Sequence, residues 1–286
     1  MFKLKNILFP VEFSERDQAT APFVLSMAQR YDARVVVFHA LQSPPPFYAG
    51  MNVMYPQDYD FTGALDEIRI DLQKFTCEQL PKVDVECVAQ PGEAASAIAQ
   101  FACANGMDLI AMPTHGYGMF RRTLLGSVTA KVLHDARVPV WTSAHAPEPS
   151  HRAHPKPRRI VCALDMKLES LRTLEAAVEM ATDAGAALEL AHVPAATVPP
   201  DVAAGFLEEL LAKTTQSEHV NVAEVAHIAE SGGTGANIAE TLRKLALQTR
   251  ADLLVIGRGA IKKGFGRLYA NSYEIIRESP CPVLSV

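Results

Sequence analysis

The sequence predicts an α/β protein made of two tandem copies of one unit, each an open five-stranded parallel sheet of order 3-2-1-4-5 with helices on both faces. Three observations predict it. Short continuous apolar runs alternate with longer helical patterns, as parallel strands buried on both faces do between crossover helices. Segments of the first half return in the second: KNILFPVEFSERD as RRIVCALDMKLES, ARVVVFHAL as AALELAHVP, and DLIAMP as DLLVIG. The spacing is regular, with Glu12 matching Asp165 and His39 matching His192, each 153 positions later, and Asp108 matching Asp252 after 144.

Strands are expected in the first half at Asn6–Val11, Arg34–Leu41, Val83–Ala89, Asp108–Met112 and Val138–Thr142. Ser14 and Asp17 form a capping-box pattern before Ala21, Val24, Ala28 and Tyr31, which share one helical face. Leu171, Leu174, Val178 and Ala181 repeat that stripe. Five strands and about four helices per half follow. VPVW and CPVL close the two copies, and the Pro-rich SAHAPEPSHRAHPKP lies between them, giving domains at 1–145 and 158–286 with a linker at 146–157. Gln42–Asp60, rich in proline and tyrosine, reads as a long loop: a lid, an interaction surface or a solvent-exposed excursion.

Composition excludes several classes. With 49% hydrophobic and 21% charged residues the chain folds rather than staying disordered. A net charge of −5 offers no basic excess for nucleic acid or an anionic membrane, so any phosphate site is local. No apolar run has the length of a membrane span and MFKLKNILFP lacks a signal-peptide core, so a cytoplasmic protein is expected. The five scattered cysteines read as small buried hydrophobes, and His145, His151 and His154 as parts of the linker, so no metal site is expected in the protein itself.

In an open parallel sheet, ligands sit beyond the carboxyl ends of the strands where winding reverses, here between strands one and four. Val11 and Glu12 follow the first; Pro113, Thr114, His115 and Gly116 follow the fourth. Gly116 permits close backbone approach, and Gly126 with Ser127 at a helix start offers amides, a hydroxyl and the helix dipole to an anion. On local residues alone the alternative, a strand-to-helix turn with Ser127 as its cap, stands level. Other nucleotide motifs fail: EFSERD is no G-x-G-x-x-G, GAIKKGF has Phe265 where a P-loop needs lysine, and SGGTGAN reads as a turn before a helix.

The spacing P-x2-G-x9-G-S at Pro113, Gly116, Gly126 and Ser127, with FPVEFSE from Phe9 and His39-Ala40 after the second strand, resembles the universal stress protein family over two tandem copies. The resemblance implies flavodoxin-like domains of the adenine nucleotide alpha hydrolase-like kind. It implies ATP or ADP as ligand, with Mg2+ or Mn2+ held through the phosphates. Val11, Glu12 and the backbone of Ala40 would meet adenine and ribose; Pro113, His115, Gly116, Gly126, Ser127, Val128 and Thr129 would line the phosphate side. Pairing of last strands, Val138–Thr142 with Pro282–Val286, would imitate a dimer within one chain, and further homodimerisation stays open. The departures are Glu12 for the family's Asp and Pro113 for its first glycine, which removes an N–H. In the second copy Asp165, Val193, Gly257 and Gly259 hold corresponding places, while Ala260, Ala270 and Asn271 depart from the pattern unless a one-residue shift aligns Ser272 with Ser127. The expected function is nucleotide-dependent regulation of a stress response through a protein partner. The alternative is a nucleotide-free scaffold of the non-binding subgroup. No nucleophile–base pair suggests an enzyme; at most His115 would assist slow ATP hydrolysis.

Overall fold

The structure is a computed structural model and describes residues 4–42, 47–49, 52–54, 61–114, 125–144, 155–165, 170–193, 205, 209–210, 212, 222–227, 238–258 and 268–286. The first half runs β1 (Asn6–Pro10), α1 (Glu15–Tyr31), β2 (Arg34–Leu41), β3 (Phe47–Ala49), β4 (Asn52–Met54), α2 (Phe61–Gln79), β5 (Val85–Pro91), α3 (Ala94–Ala104), β6 (Leu109–Met112), α4 (Ser127–Asp135) and β7 (Val140–Thr142). The second runs β8 (Arg159–Ala163), α5 (Ser170–Ala184), β9 (Ala187–His192), β10 (Val222–His227), α6 (Ile238–Thr249), β11 (Leu253–Ile256), α7 (Leu268–Glu278) and β12 (Val283–Ser285).

Contacts divide the chain into two units. One comprises Leu4–Met112 and Ser127–Val138; the other comprises the described parts of Pro113–Gly126 and Pro139–Val286.

In the first unit the parallel strands lie in the order β6-β1-β2-β5. Ile7, Leu8, Phe9 and Val35 to Phe38 are almost fully buried, the double-sided burial that makes parallel strands continuously apolar. α1 opens on the expected capping box, Ser14 with Asp17, and ends at Asp32 with φ 49°. The second unit has β10-β9-β8-β11-β12, all parallel, which is the order 3-2-1-4-5. There β7 runs antiparallel to β12, pairing Thr142 with Val283, Trp141 with Leu284 and Val140 with Ser285.

The repeat extends to individual hydrogen bonds. The Lys5 and Asn6 amides both donate to Asp108 Oδ2 at 2.8 Å, and those of Arg158 and Arg159 to Asp252 Oδ2 at 2.8 and 3.1 Å. The aspartate of DLIAMP and DLLVIG therefore pins the amino end of each first strand, away from the carboxyl edge where ligands bind.

Two expectations need correction. Gln42–Asp60 contains a short antiparallel hairpin, β3 with β4, whose three-residue strands are too short to display an alternation. Only Cys162 and Cys281 are buried; Cys77 and Cys103 are exposed and Cys87 is half-buried. Burial pushes the Cys281 thiol up to about 12 and the Cys162 thiol higher still, as expected for inert core residues.

Candidate functional site

At the carboxyl edge of the first unit, β1 lies between β2 and β6, so the chain reverses its winding there. The register carries Met112 to the level of Pro10, since Ile7 faces Leu109 and Leu8 faces Ile110. The Val11 amide donates to Phe38 O at 2.9 Å, and the Val11 carbonyl accepts from His39 Nδ1 at 2.8 Å. A carbonyl can only accept, so Nδ1 carries the proton. His39 thus clasps the end of β1 to β2 and brings Val11, Glu12 and Ala40 together.

The turn beyond is organised by one buried acid. Asp17 Oδ2 accepts from the Glu12 amide at 2.9 Å, the Ser14 amide at 2.8 Å and Ser14 Oγ at 2.9 Å. Burial raises the Asp17 pKa, and these hydrogen bonds oppose the rise. Between those amides Phe13 adopts φ 60°, a left-handed conformation that costs a bulky residue energy. Its ring stacks on His39 at 5.3 Å and meets Phe75 edge-on at 6.3 Å. The exposed Glu12 side chain is thereby fixed at its backbone.

On the phosphate side, α4 begins at Ser127, which is exposed, followed by half-buried Val128 and buried Thr129. A helix N-terminus presents amides its own carbonyls cannot reach. The Gly126 amide, however, donates to Thr114 O at 2.9 Å, closing the loop after Pro113 rather than pointing outward. His115 and Gly116 lie outside the described residues, as does Gly259 in the second half. α4 is held to α3 by Lys131, whose Nζ lies 2.8 Å from Glu93 Oε2 and 3.1 Å from Ser96 Oγ. Glu93 also caps α3, accepting from the Ala95 and Ser96 amides, and the Lys131 ammonium leads these donors in lowering its pKa to about 2.

The second half repeats the clasp and changes what surrounds it. Leu164 N–H donates to Ala191 O and His192 Nδ1 donates to Leu164 O, both at 2.9 Å. His192 is buried and its Nε2 finds no hydrogen-bond partner among the described residues. Ser170 stands where Asp17 stood, and its hydroxyl ties down the Asp165 carboxylate. Val193 follows as Ala40 does, and Gly257 lies so close to α5 that a Cβ would meet Thr173 Oγ1 at 3.0 Å. Counted from their ends, where Ala136 bonds to Val132 and Ser279 to Ile275, α4 and α7 align Thr129 with Ser272 and Ser127 with Ala270. Among the described residues no cluster of three metal-ligating side chains occurs.

The sequence model of the universal stress protein family matches residues 3–143 and 156–286, covering almost the whole chain in two copies. The chain belongs to the universal stress protein family. A curated family member from Thermus aquaticus, the universal stress protein in the QAH/OAS sulfhydrylase 3′ region, is 30% identical over 136 residues, 48% of this chain and 96% of its own. The tandem fold resembles a universal stress protein from Archaeoglobus fulgidus DSM 4304, with TM-score 0.71 and 20% identity over 99% of this chain and 96% of that one. It also resembles a putative universal stress protein from Pseudomonas aeruginosa UCBPP-PA14, with TM-score 0.62 and 16% identity over 100% and 94% of the two chains. As a universal stress protein this chain has flavodoxin-like α/β domains, and among its described residues no helix is long and apolar enough to cross a membrane.

Sequence reasoning selected Ala40 but passed over His39, Phe13 and Asp17 as site residues. The capping-box pattern had already singled out Asp17; the role of His39 needed the pairing of β1 with β2.

Proposed function

We propose that the first half binds ATP or ADP and that the protein acts as a nucleotide-dependent stress-response regulator. The observation that carries the reading is the clasped carboxyl edge of β1, where Val11, Glu12 and Ala40 meet at the winding reversal. The donor set suits the ligand. The second lone pair of the Val11 carbonyl and the backbone of Ala40 would recognise a base edge, the Glu12 carboxylate would accept from ribose hydroxyls, and the N-terminus of α4 from Ser127 to Thr129 would meet phosphate. Mg2+ or Mn2+, when bound, would offset phosphate charge.

The test is to denature the purified protein, identify released small molecules by mass spectrometry, and titrate ATP into wild type and Gly126→Glu. Binding by wild type and its loss in the variant are expected. Negligible binding by both overturns the reading.

One observation favours a second reading, a nucleotide-free scaffold. Pro113 has no amide and Gly126 spends its own on Thr114, so two family phosphate positions offer no donor. A protein partner captured equally with and without nucleotide would support it; capture that vanishes when nucleotide is stripped would exclude it.

A further inference from the structure

Phe13 combines an unfavourable backbone with a favourable ring contact. Its φ of 60° is left-handed, a conformation that glycine takes freely and a bulky residue avoids. The conformation is held from both sides, because the flanking Glu12 and Ser14 amides both donate to Asp17 Oδ2. Such strain persists only where the surroundings over-determine it, and it concentrates at functional sites. What it secures here is the position of the ring, which stacks on His39 at 5.3 Å with 22° between the planes and meets Phe75 at 6.3 Å and 77°. Phe75 is buried and lies 6.0 Å from the fully buried Phe9, so the stack is anchored in the core.

The consequence falls on the imidazole. His39 is half-buried, and the torsion that turns its ring is soft, so the ring can carry Nδ1 away from Val11 O unless a neighbour fixes its plane. Phe13 covers one face and fixes that plane. Nδ1–H then occupies one lone pair of the Val11 carbonyl at 2.8 Å and leaves the other. In the second half the residue at the matching place is Met166, which has no ring, and His192 is buried where His39 is half-buried. This position supplies a ring in the first half alone.

We propose that Phe13 is a positioning residue for the base end of the first half's nucleotide site, and that its left-handed backbone is tolerated for that role. By stacking on His39 it holds Nδ1–H on Val11 O, and so holds the Val11 carbonyl in the direction from which a base edge is read. The inference rests on the nucleotide reading above. It adds a residue that acts without touching the ligand, and a reason for a bulky side chain where the backbone favours glycine.

The experiment uses the full chain as wild type, Phe13→Ala, Phe13→Gly and Phe13→Tyr. Alanine keeps the strain and loses the ring, glycine loses both, and tyrosine keeps both. In urea titrations the midpoint of Phe13→Gly should lie above that of Phe13→Ala; the reverse order overturns the strain. Isothermal titration compares ATP with adenosine, which lacks phosphates. Both ligands should weaken about three- to tenfold in Phe13→Ala and Phe13→Gly alike, the worth of one ordinary hydrogen bond, and recover in Phe13→Tyr. If Phe13 only supported the fold, affinity would follow stability and Phe13→Gly would regain it; that result, or unchanged affinity in both variants, overturns the proposal. Proton NMR without ligand reads the imidazole itself: His39 Nδ1–H should exchange with water faster in Phe13→Ala and Phe13→Gly, and an unchanged rate overturns the proposal whatever the titration shows. If wild type binds neither ligand, the nucleotide reading falls and the role of Phe13 towards the base falls with it. Failure while wild type still binds strikes Phe13 alone.

Discussion

Two carboxylates at the carboxyl edge of the first unit shift in opposite directions, and their pH signatures should separate them. Burial raises Asp17 above its ordinary 3.8, so its contribution is present in full below 3.8 and lost as pH rises through the folded value. Wild-type stability relative to Asp17→Asn should therefore decline as pH rises from below 3.8; a flat difference in urea midpoints would refute this. Asp17→Ala should cost about 1–3 kcal/mol at neutral pH, because it strands the Glu12 and Ser14 amides. Glu93 behaves oppositely. Its pKa lies below the ordinary 4.5, at about 2, so the advantage of wild type over Glu93→Gln should be complete above 4.5 and vanish as pH falls towards 2. Because the side chains of Glu93 and Lys131 are about half exposed, solvent screening holds that advantage to about 1 kcal/mol or less. An advantage that grows on acidification would contradict the assignment.

At the scale of elements, the repeat identifies which backbone positions are under strain. α1 ends at Asp32 with φ 49°, and the corresponding residue after α5 is Gly185 with φ 60°. The side chain of Asp32 is fully exposed and its ion pair with Lys5, at 3.9 Å, is worth little. Asp32→Gly should thus stabilise the protein by about 0.5–1 kcal/mol, while Gly185→Asp should destabilise it by a similar amount; thermal denaturation of both variants checks the pair. The same comparison shows what the sequence could reveal. Strands such as Arg34–Leu41 were legible to the residue because burial on both faces leaves a continuous apolar run. The hairpin of β3 and β4 was not, since three residues carry no period. At the site, Val11, Glu12 and Ala40 were legible through motif and spacing. His39 acts through a partner 28 residues away, which no local pattern encodes.

For the whole molecule, the boundary suggested by the Pro-rich linker and the division made by contacts differ. β7 precedes the linker in sequence, yet it groups with the second unit through its antiparallel pairing with β12 and the Thr142 hydroxyl on Val283 O. The single tryptophan of the chain, Trp141, sits on β7 and is 3% exposed, so its fluorescence reports the environment of that strand. If contacts rather than sequence order govern cooperativity, Trp141 should follow the unfolding of the second unit. Leu254→Ala, in the core of β11, and Leu8→Ala, in the core of β1, each remove a fully buried leucine at a cost of about 2–5 kcal/mol. In urea titrations monitored by tryptophan emission, Leu254→Ala should move the midpoint down more than Leu8→Ala does. Equal displacement would mean that the units unfold as one, and a larger effect of Leu8→Ala would return β7 to the half in which its sequence lies.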